Sequence, residues 1–344
     1  MALHRTGSLR SLTIALATVS ALVASQCGRD PEPSPPSVAP TRAAVNAPVE
    51  PAVSQPLSDS AGRSFPSVFQ AWSGIENRPD EDELELAAKH DLVFSGPWLL
   101  RMFWSFDSDQ PWSGLSTELR GVSGIDAGSP AQRRATLRRI NPNLKLLCEV
   151  RYREGLFLRP DDNPLHQQDA YPPDSPFWLR DENGNLCPGW GEDENGDGSV
   201  QINEVHFMLM DFRNPEFHTL IARKALAVKN TGLFDGIMLD WWNEDDSTTG
   251  KFPDWNGSHL TRDEELDARI AILKAIRSAV GDDFLILVNS NERTVPRSAS
   301  YVNGLFMECW KTDYSRGYSV ERIKKFESTL LWAEENLREP RINC

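Results

Sequence analysis

The chain has 344 residues, 40% of them hydrophobic, and a formal net charge of −14. That length suits one large domain with an appendage. The acidic balance excludes a general nucleic-acid binder, which needs a basic face, and disfavours electrostatic binding to anionic membranes or polyanions.

Residues 1–26 read as an export signal. His4, Arg5 and Arg10 precede an apolar run from Ser11 to Ala24 that is too short to span a bilayer comfortably. Val23-Ala24-Ser25 suits an ordinary signal-peptidase cut and a secreted product. Ala24-Ser25-Gln26-Cys27 resembles a bacterial lipoprotein site, which implies a lipid on Cys27 and a place in the cell envelope. Residues 27–64 hold eight prolines and read as a semi-rigid tether. No later stretch is long and apolar enough to cross a membrane, so a lipid would be the only membrane attachment. The five cysteines, Cys27, Cys148, Cys187, Cys309 and Cys344, are too scattered for a disulfide framework or a zinc pattern. Cys148 reads as a core residue. Cys309 has two candidate partners, Cys187 and Cys344.

From residue 65 to 344, short apolar strands alternate with amphipathic helices, which predicts parallel β/α units. The strands are expected at Ser67–Trp72, Leu92–Ser95, Leu144–Val150, Phe207–Asp211, Gly236–Asp240, Phe284–Asn289 and Val302–Met307. Asp80–His90 has helical spacing. Ser129-Pro130 starts a helix reaching Ile140. Asn214-Pro215 starts another, with Phe217, Leu220, Ile221 and Ala225 on its apolar face. Thr261 and Glu264 form a capping box for a helix ending near Gly281, and Ser319–Leu337 is the last helix. Seven strand–helix units predict an α/β fold of the TIM (β/α)8-barrel type. Arg341–Cys344 reads as the start of an eighth strand, at which the chain stops. A barrel cut short there exposes an edge and part of its core.

A long insertion follows the third strand, at about residues 151–205. Within it, Asp193-Glu194-Asn195-Gly196-Asp197-Gly198-Ser199-Val200-Gln201-Ile202-Asn203-Glu204 fits the EF-hand calcium-loop template. The ligands would be Asp193, Asn195, Asp197, the Ser199 carbonyl, Gln201 through water, and bidentate Glu204, with Gly198 at the sharp turn. A lone loop of this kind rigidifies a segment; it does not sense calcium.

TIM barrels build sites at the carboxyl ends of their strands. The polar and aromatic residues expected there are Trp72 and Glu76, Ser95 and Trp98, Glu149, Arg151 and Tyr152, Asp211 and Arg213, Asp240, Asn289, Asn291 and Glu292, and Glu308 and Trp310. Phe234-Asp235-Gly236-Ile237-Met238-Leu239-Asp240-Trp241-Trp242 stands out: a tight Asp-Gly turn, a buried strand, then an acid flanked by tryptophans. Two such acids, Asp240 and Glu308, meet the needs of glycoside cleavage, one to trap the anomeric carbon and one to protonate the leaving oxygen. Trp72, Arg151, Tyr152, Asp211, Trp241, Asn289 and Trp310 are candidate substrate contacts. Trp241 and Trp242 point differently, so one of them is expected in the core.

Asp235-Gly236-Ile237-Met238-Leu239-Asp240, Leu287-Val288-Asn289-Ser290, Asn303-Gly304-Leu305-Phe306-Met307-Glu308-Cys309 and Leu209-Met210-Asp211-Phe212-Arg213-Asn214-Pro215 resemble strand motifs of a superfamily of glycoside-hydrolase-like TIM barrels. It includes the endo-α-1,4-polygalactosaminidases of glycoside hydrolase family 114 and related glycosyl hydrolase families. The resemblance covers about residues 66–310. It implies that Asp240 and Glu308 are the catalytic pair; the chemistry of glycoside cleavage makes Asp240 the expected nucleophile and Glu308 the expected acid/base. The expected function is an exported, retaining, polysaccharide-cleaving enzyme with structural calcium. The rival is a non-catalytic glycan-binding or cell-surface scaffold that keeps the cleft. A third reading makes the calcium loop primary, in an adhesion element.

Overall fold

The computed structural model describes residues 68–72, 82–104, 118–121, 128–157, 170–191, 205–242, 244, 260–308 and 317–344. Its strands are β1 (Phe69–Ala71), β2 (Leu92–Ser95), β3 (Met102–Trp104), β4 (Leu119–Gly121), β5 (Lys145–Glu149), β6 (Glu154–Phe157), β7 (Ala170–Tyr171), β8 (Pro188–Gly191), β9 (Val205–Leu209), β10 (Gly236–Leu239), β11 (Leu285–Asn289) and β12 (Gly304–Phe306). Its helices are α1 (Glu83–Ala87), α2 (Pro130–Ile140), α3 (Pro215–Asn230), α4 (Arg262–Val280) and α5 (Val320–Asn336). Helix starts follow local chemistry. The Ser129 and Thr261 side chains accept from the backbone N–H three residues on, and Gln132 and Glu264 return the bond.

Six strands form one parallel sheet in the order β1-β2-β5-β10-β11-β12. Side chains alternate across it. Val93, Leu146, Cys148, Ile237, Leu239, Ile286, Val288 and Leu305 belong to the large cluster that includes the helices' apolar faces. Leu92, Phe94, Leu147, Met238, Leu285, Leu287 and Phe306 form a second, inner cluster. Phe69 and Phe94, from the first two strands in the order, lie with ring centroids 5.8 and 5.0 Å from that of Phe306 on the last. Contacts between opposite ends of a sheet require it to curl, so the inner cluster is the filled interior of a barrel-like sheet.

The Arg341–Cys344 segment runs along β12. Ile342 and Cys344 donate to the Asn303 and Leu305 carbonyls, each at 2.9 Å, and Met307 donates to Cys344 at 2.8 Å. A Cβ on Gly304 would lie 2.7 Å from the Ile342 carbonyl oxygen, so glycine is what admits this close approach. Ile342 and Cys344 pack against the inner cluster.

One expected barrel strand is elsewhere. β9, the core of the Phe207–Asp211 expectation, pairs antiparallel with β6 and β8 in a four-stranded sheet ordered β7-β6-β9-β8. β10 is bonded directly to β5 and β11, so both its edges are filled and no slot remains. An alternating pattern marks a strand but not the edge it joins. The insertion therefore reaches Leu209 and forms a sheet of its own. The Asp-Gly turn is also corrected. Gly236 lies inside β10, where a Cβ would overlap the Leu285 carbonyl oxygen. Asp235 accepts from buried Arg134 at 2.6 Å and from the Leu146 N–H at 2.8 Å.

Candidate active site

The strand period places the site. On β5, β10, β11 and β12 the inner apolar residues Leu147, Met238, Leu287 and Phe306 are each followed two positions later by a polar one: Glu149, Asp240, Asn289 and Glu308. A polar layer therefore caps the apolar interior at the carboxyl ends of these strands.

Asn289, 2% exposed, ties the layer together. Its amide nitrogen donates to Asp240 Oδ1 at 2.7 Å and to Glu308 Oε2 at 2.8 Å. Its amide oxygen accepts from the Asn291 N–H at 3.2 Å. The two carboxylate oxygens lie no further apart than those two donated bonds laid end to end, 5.5 Å. Asn289 was expected to bind a sugar hydroxyl. Both protons of its amide nitrogen are engaged by the two carboxylates, so a sugar hydroxyl would have to donate to its amide oxygen.

Burial pushes the Asp240 carboxyl above the usual range. The Asn289 bond, the Trp241 backbone N–H and the Arg151 and Arg153 charges oppose the shift. Burial also raises Glu308; the Asn289 bond opposes this, and the Asp240 charge adds to it. Asp240 keeps a partly exposed surface although its carboxyl sits deep among neighbours, and Glu308 is likewise partly exposed. Asp240 thus has cationic support for its charged form, whereas the Asp240 charge favours protonated Glu308.

The other expected residues divide. Trp72 follows β1 and donates its indole N–H to Glu149 at 3.2 Å, with edge contacts to Phe94 and Phe306. It is a wall of the interior as much as a rim. Arg151 lies 3.5 Å from Glu149, with its guanidinium over the Phe207 ring. Trp241 is partly exposed, and the Arg153 guanidinium sits 4.4 Å from its ring centre. Trp242 is fully buried.

Two expectations are corrected. Tyr152, 1% exposed, donates to the Trp241 carbonyl oxygen at 2.9 Å, so it is enclosed in protein and lines no subsite. Asp211 follows the antiparallel β9, not a barrel strand, and is held by Arg213 at 2.8 and 3.1 Å. Trp310, the calcium-loop residues Asp193, Asn195, Asp197, Ser199, Gln201 and Glu204, and Cys27 lie outside the described residues.

Sequence reasoning missed Arg153, Glu154 and Arg269. Buried Glu154 pairs with Arg153 at 2.8 Å. Burial raises its carboxyl, and the Asp240 charge contributes in the same direction. Arg269 pairs with Glu265 one helical turn away, which in sequence resembles an ordinary surface pair. Backbone strain marks the site as well. Trp72, Trp241 and Asn291, all just beyond strand ends, have φ of 50°, 56° and 51°. Each such residue costs about 1–3 kcal/mol and persists only where its surroundings hold it.

No family model and no curated protein matches the chain, so the resemblance to the polygalactosaminidases stays at the level of strand motifs. Among solved structures, the chitinase domain of the Clostridium difficile spore coat protein CotE is similar at 15% identity and TM-score 0.37, over 80% of this chain and 65% of that one. The α-galactosidase TtGalA of Thermus thermophilus is similar at 16% identity and TM-score 0.44, over 80% and 50%. A chitinase of Rhizomucor miehei is similar at 12% identity and TM-score 0.36, over 76% and 64%. This chain spans half to two thirds of those proteins. Likenesses this distant leave the functional reading to the side chains themselves.

Proposed function

We propose that this chain hydrolyses glycosidic bonds of a polysaccharide or oligosaccharide, with Asp240 as nucleophile and Glu308 as acid/base. The observation that carries the reading is the shared Asn289 amide, which keeps two carboxylate oxygens within 5.5 Å. Retaining glycosidases hold their carboxyl groups about 5–5.5 Å apart, and inverting ones about 6.5–9.5 Å. One oxygen pair this close favours the retaining arrangement, and the anomer of the product tests it. Asp240 would attack the anomeric carbon while Glu308 protonates the leaving oxygen; Glu308 would then take a proton from the water that releases the sugar. Trp72, Trp241 and Trp310 are the aromatic groups proposed to contact sugar rings, and Arg151 is a proposed polar contact.

Calcium belongs to the proposal. Asp193, Asn195, Asp197, the Ser199 carbonyl, Gln201 and Glu204 would hold it, an all-oxygen set suited to this hard cation. Gly191 and Val205, which flank the segment, stand opposite each other in the β8–β9 pair. The ion would stiffen the insertion sheet. Export, by secretion or with a lipid on Cys27, is the proposed setting.

The test is hydrolysis of a glycan panel by the wild type, Asp240→Asn and Glu308→Gln, with the anomer of the product read by NMR. Turnover lost in both variants, with the anomeric configuration kept, supports the reading. Wild-type binding of a glycan without cleavage would establish the scaffold reading instead. Calorimetry with calcium on chelator-treated protein, compared with Asp193→Ala, tests the loop; equal heats in both would reject it.

A further inference from the structure

The residue after Asp240 has a backbone that must be held. Trp241, with φ 56°, is left-handed, which costs a non-glycine residue roughly 1–2 kcal/mol. Two buried side chains converge on its carbonyl oxygen. The Tyr152 hydroxyl donates to it at 2.9 Å and Arg269 Nη2 at 3.3 Å. Arg269 Nε also donates to the Tyr152 oxygen at 2.9 Å, which leaves the single Tyr152 proton for Trp241. Glu265 pairs with Arg269 at 2.8 Å, both side chains 0% exposed. From the other side, the Trp242 N–H donates to the Asn289 carbonyl at 2.7 Å, and its indole N–H to Ser298 at 2.9 Å.

Volume alone does not account for this cluster. A buried ion pair adds little stability over apolar residues of similar size. Here two donors on different elements are committed to one backbone oxygen, beside the proposed nucleophile. Pinning that carbonyl fixes the turn after β10. The turn sets the Trp241 N–H that supports the Asp240 carboxyl, and with it the 2.7 Å bond from Asn289. If the carbonyl is released, residue 241 can relax to negative φ and Asp240 loses donors.

We propose that Tyr152 and Arg269 are positioning residues for Asp240, acting through the Trp241 carbonyl oxygen. The inference rests on the reading of Asp240 as a working carboxylate.

Tyr152→Phe removes only the hydroxyl. A second variant, Glu265→Gln with Arg269→Gln, removes the pair without leaving a lone buried charge. The readout is the Asp240 titration, followed by carbon-13 NMR in aspartate-labelled protein and assigned with Asp240→Asn. Among the described residues, Glu149, Arg151, Arg153, Glu154 and Glu308, the other charged groups around Asp240, are unchanged in both variants. Loss of donors to the carboxylate is expected to raise the Asp240 midpoint by roughly half a pH unit or more, with faster exchange of the Trp241 amide. An unmoved midpoint and unmoved exchange, with only the melting temperature lowered, would make Tyr152 and Arg269 packing residues and overturn the proposal. A moved midpoint in a protein that cuts no glycan would keep the clamp and reject the hydrolase. Unchanged kcat and an unmoved midpoint in an active protein would reject the clamp alone.

Discussion

Two layers of the same sheet interior differ by two residues along each strand. The lower holds Leu147, Met238, Leu287 and Phe306. The upper holds Glu149, Asp240, Asn289 and Glu308. The lower removes apolar surface from water and stabilises the fold. The upper packs carboxyls where burial raises them, which costs stability. The contrast separates what a strand end does for function from what a strand centre does for the fold.

Three substitutions probe that contrast. The largest effect is expected in the lower layer. Met238→Ala, at a fully buried site, should lower unfolding free energy by about 2–5 kcal/mol. Urea denaturation checks this, and a loss under about 1 kcal/mol would mean that the interior is loosely packed. Asn289→Ala should cost about 1–3 kcal/mol through the stranded partners and also disturb turnover, because it frees both carboxylates. Stability loss with unchanged pH–rate limits would deny Asn289 its bridging role.

Glu308→Gln should have the smallest effect and the opposite sign, a gain of roughly 1 kcal/mol at neutral pH. The sign follows from linkage. A carboxyl raised by folding binds protons more tightly in the native state, so its contribution falls as pH rises from the unfolded pKa through the folded one. The variant's advantage should therefore vanish below about pH 4, where the glutamate is protonated in both states. Melting curves across pH 4–8 test this; an advantage constant with pH would exclude burial of the charge as its source.

The helix starts were legible because capping is local: Ser129, Asn214, Thr261 and Ser319 act within three residues. Most parallel strands were legible because apolar runs and their spacing are local too. Asp240 and Glu308 could be named from their place after those runs. The tertiary structure alone decided that β9 leaves the parallel sheet, because edge choice depends on partners distant in sequence. It alone engaged both amide protons of Asn289, and it alone enclosed Tyr152 with Arg269 and Glu265. Those assignments depend on which polar atoms meet in the interior, and valence and burial settle them only once the chain has curled the sheet.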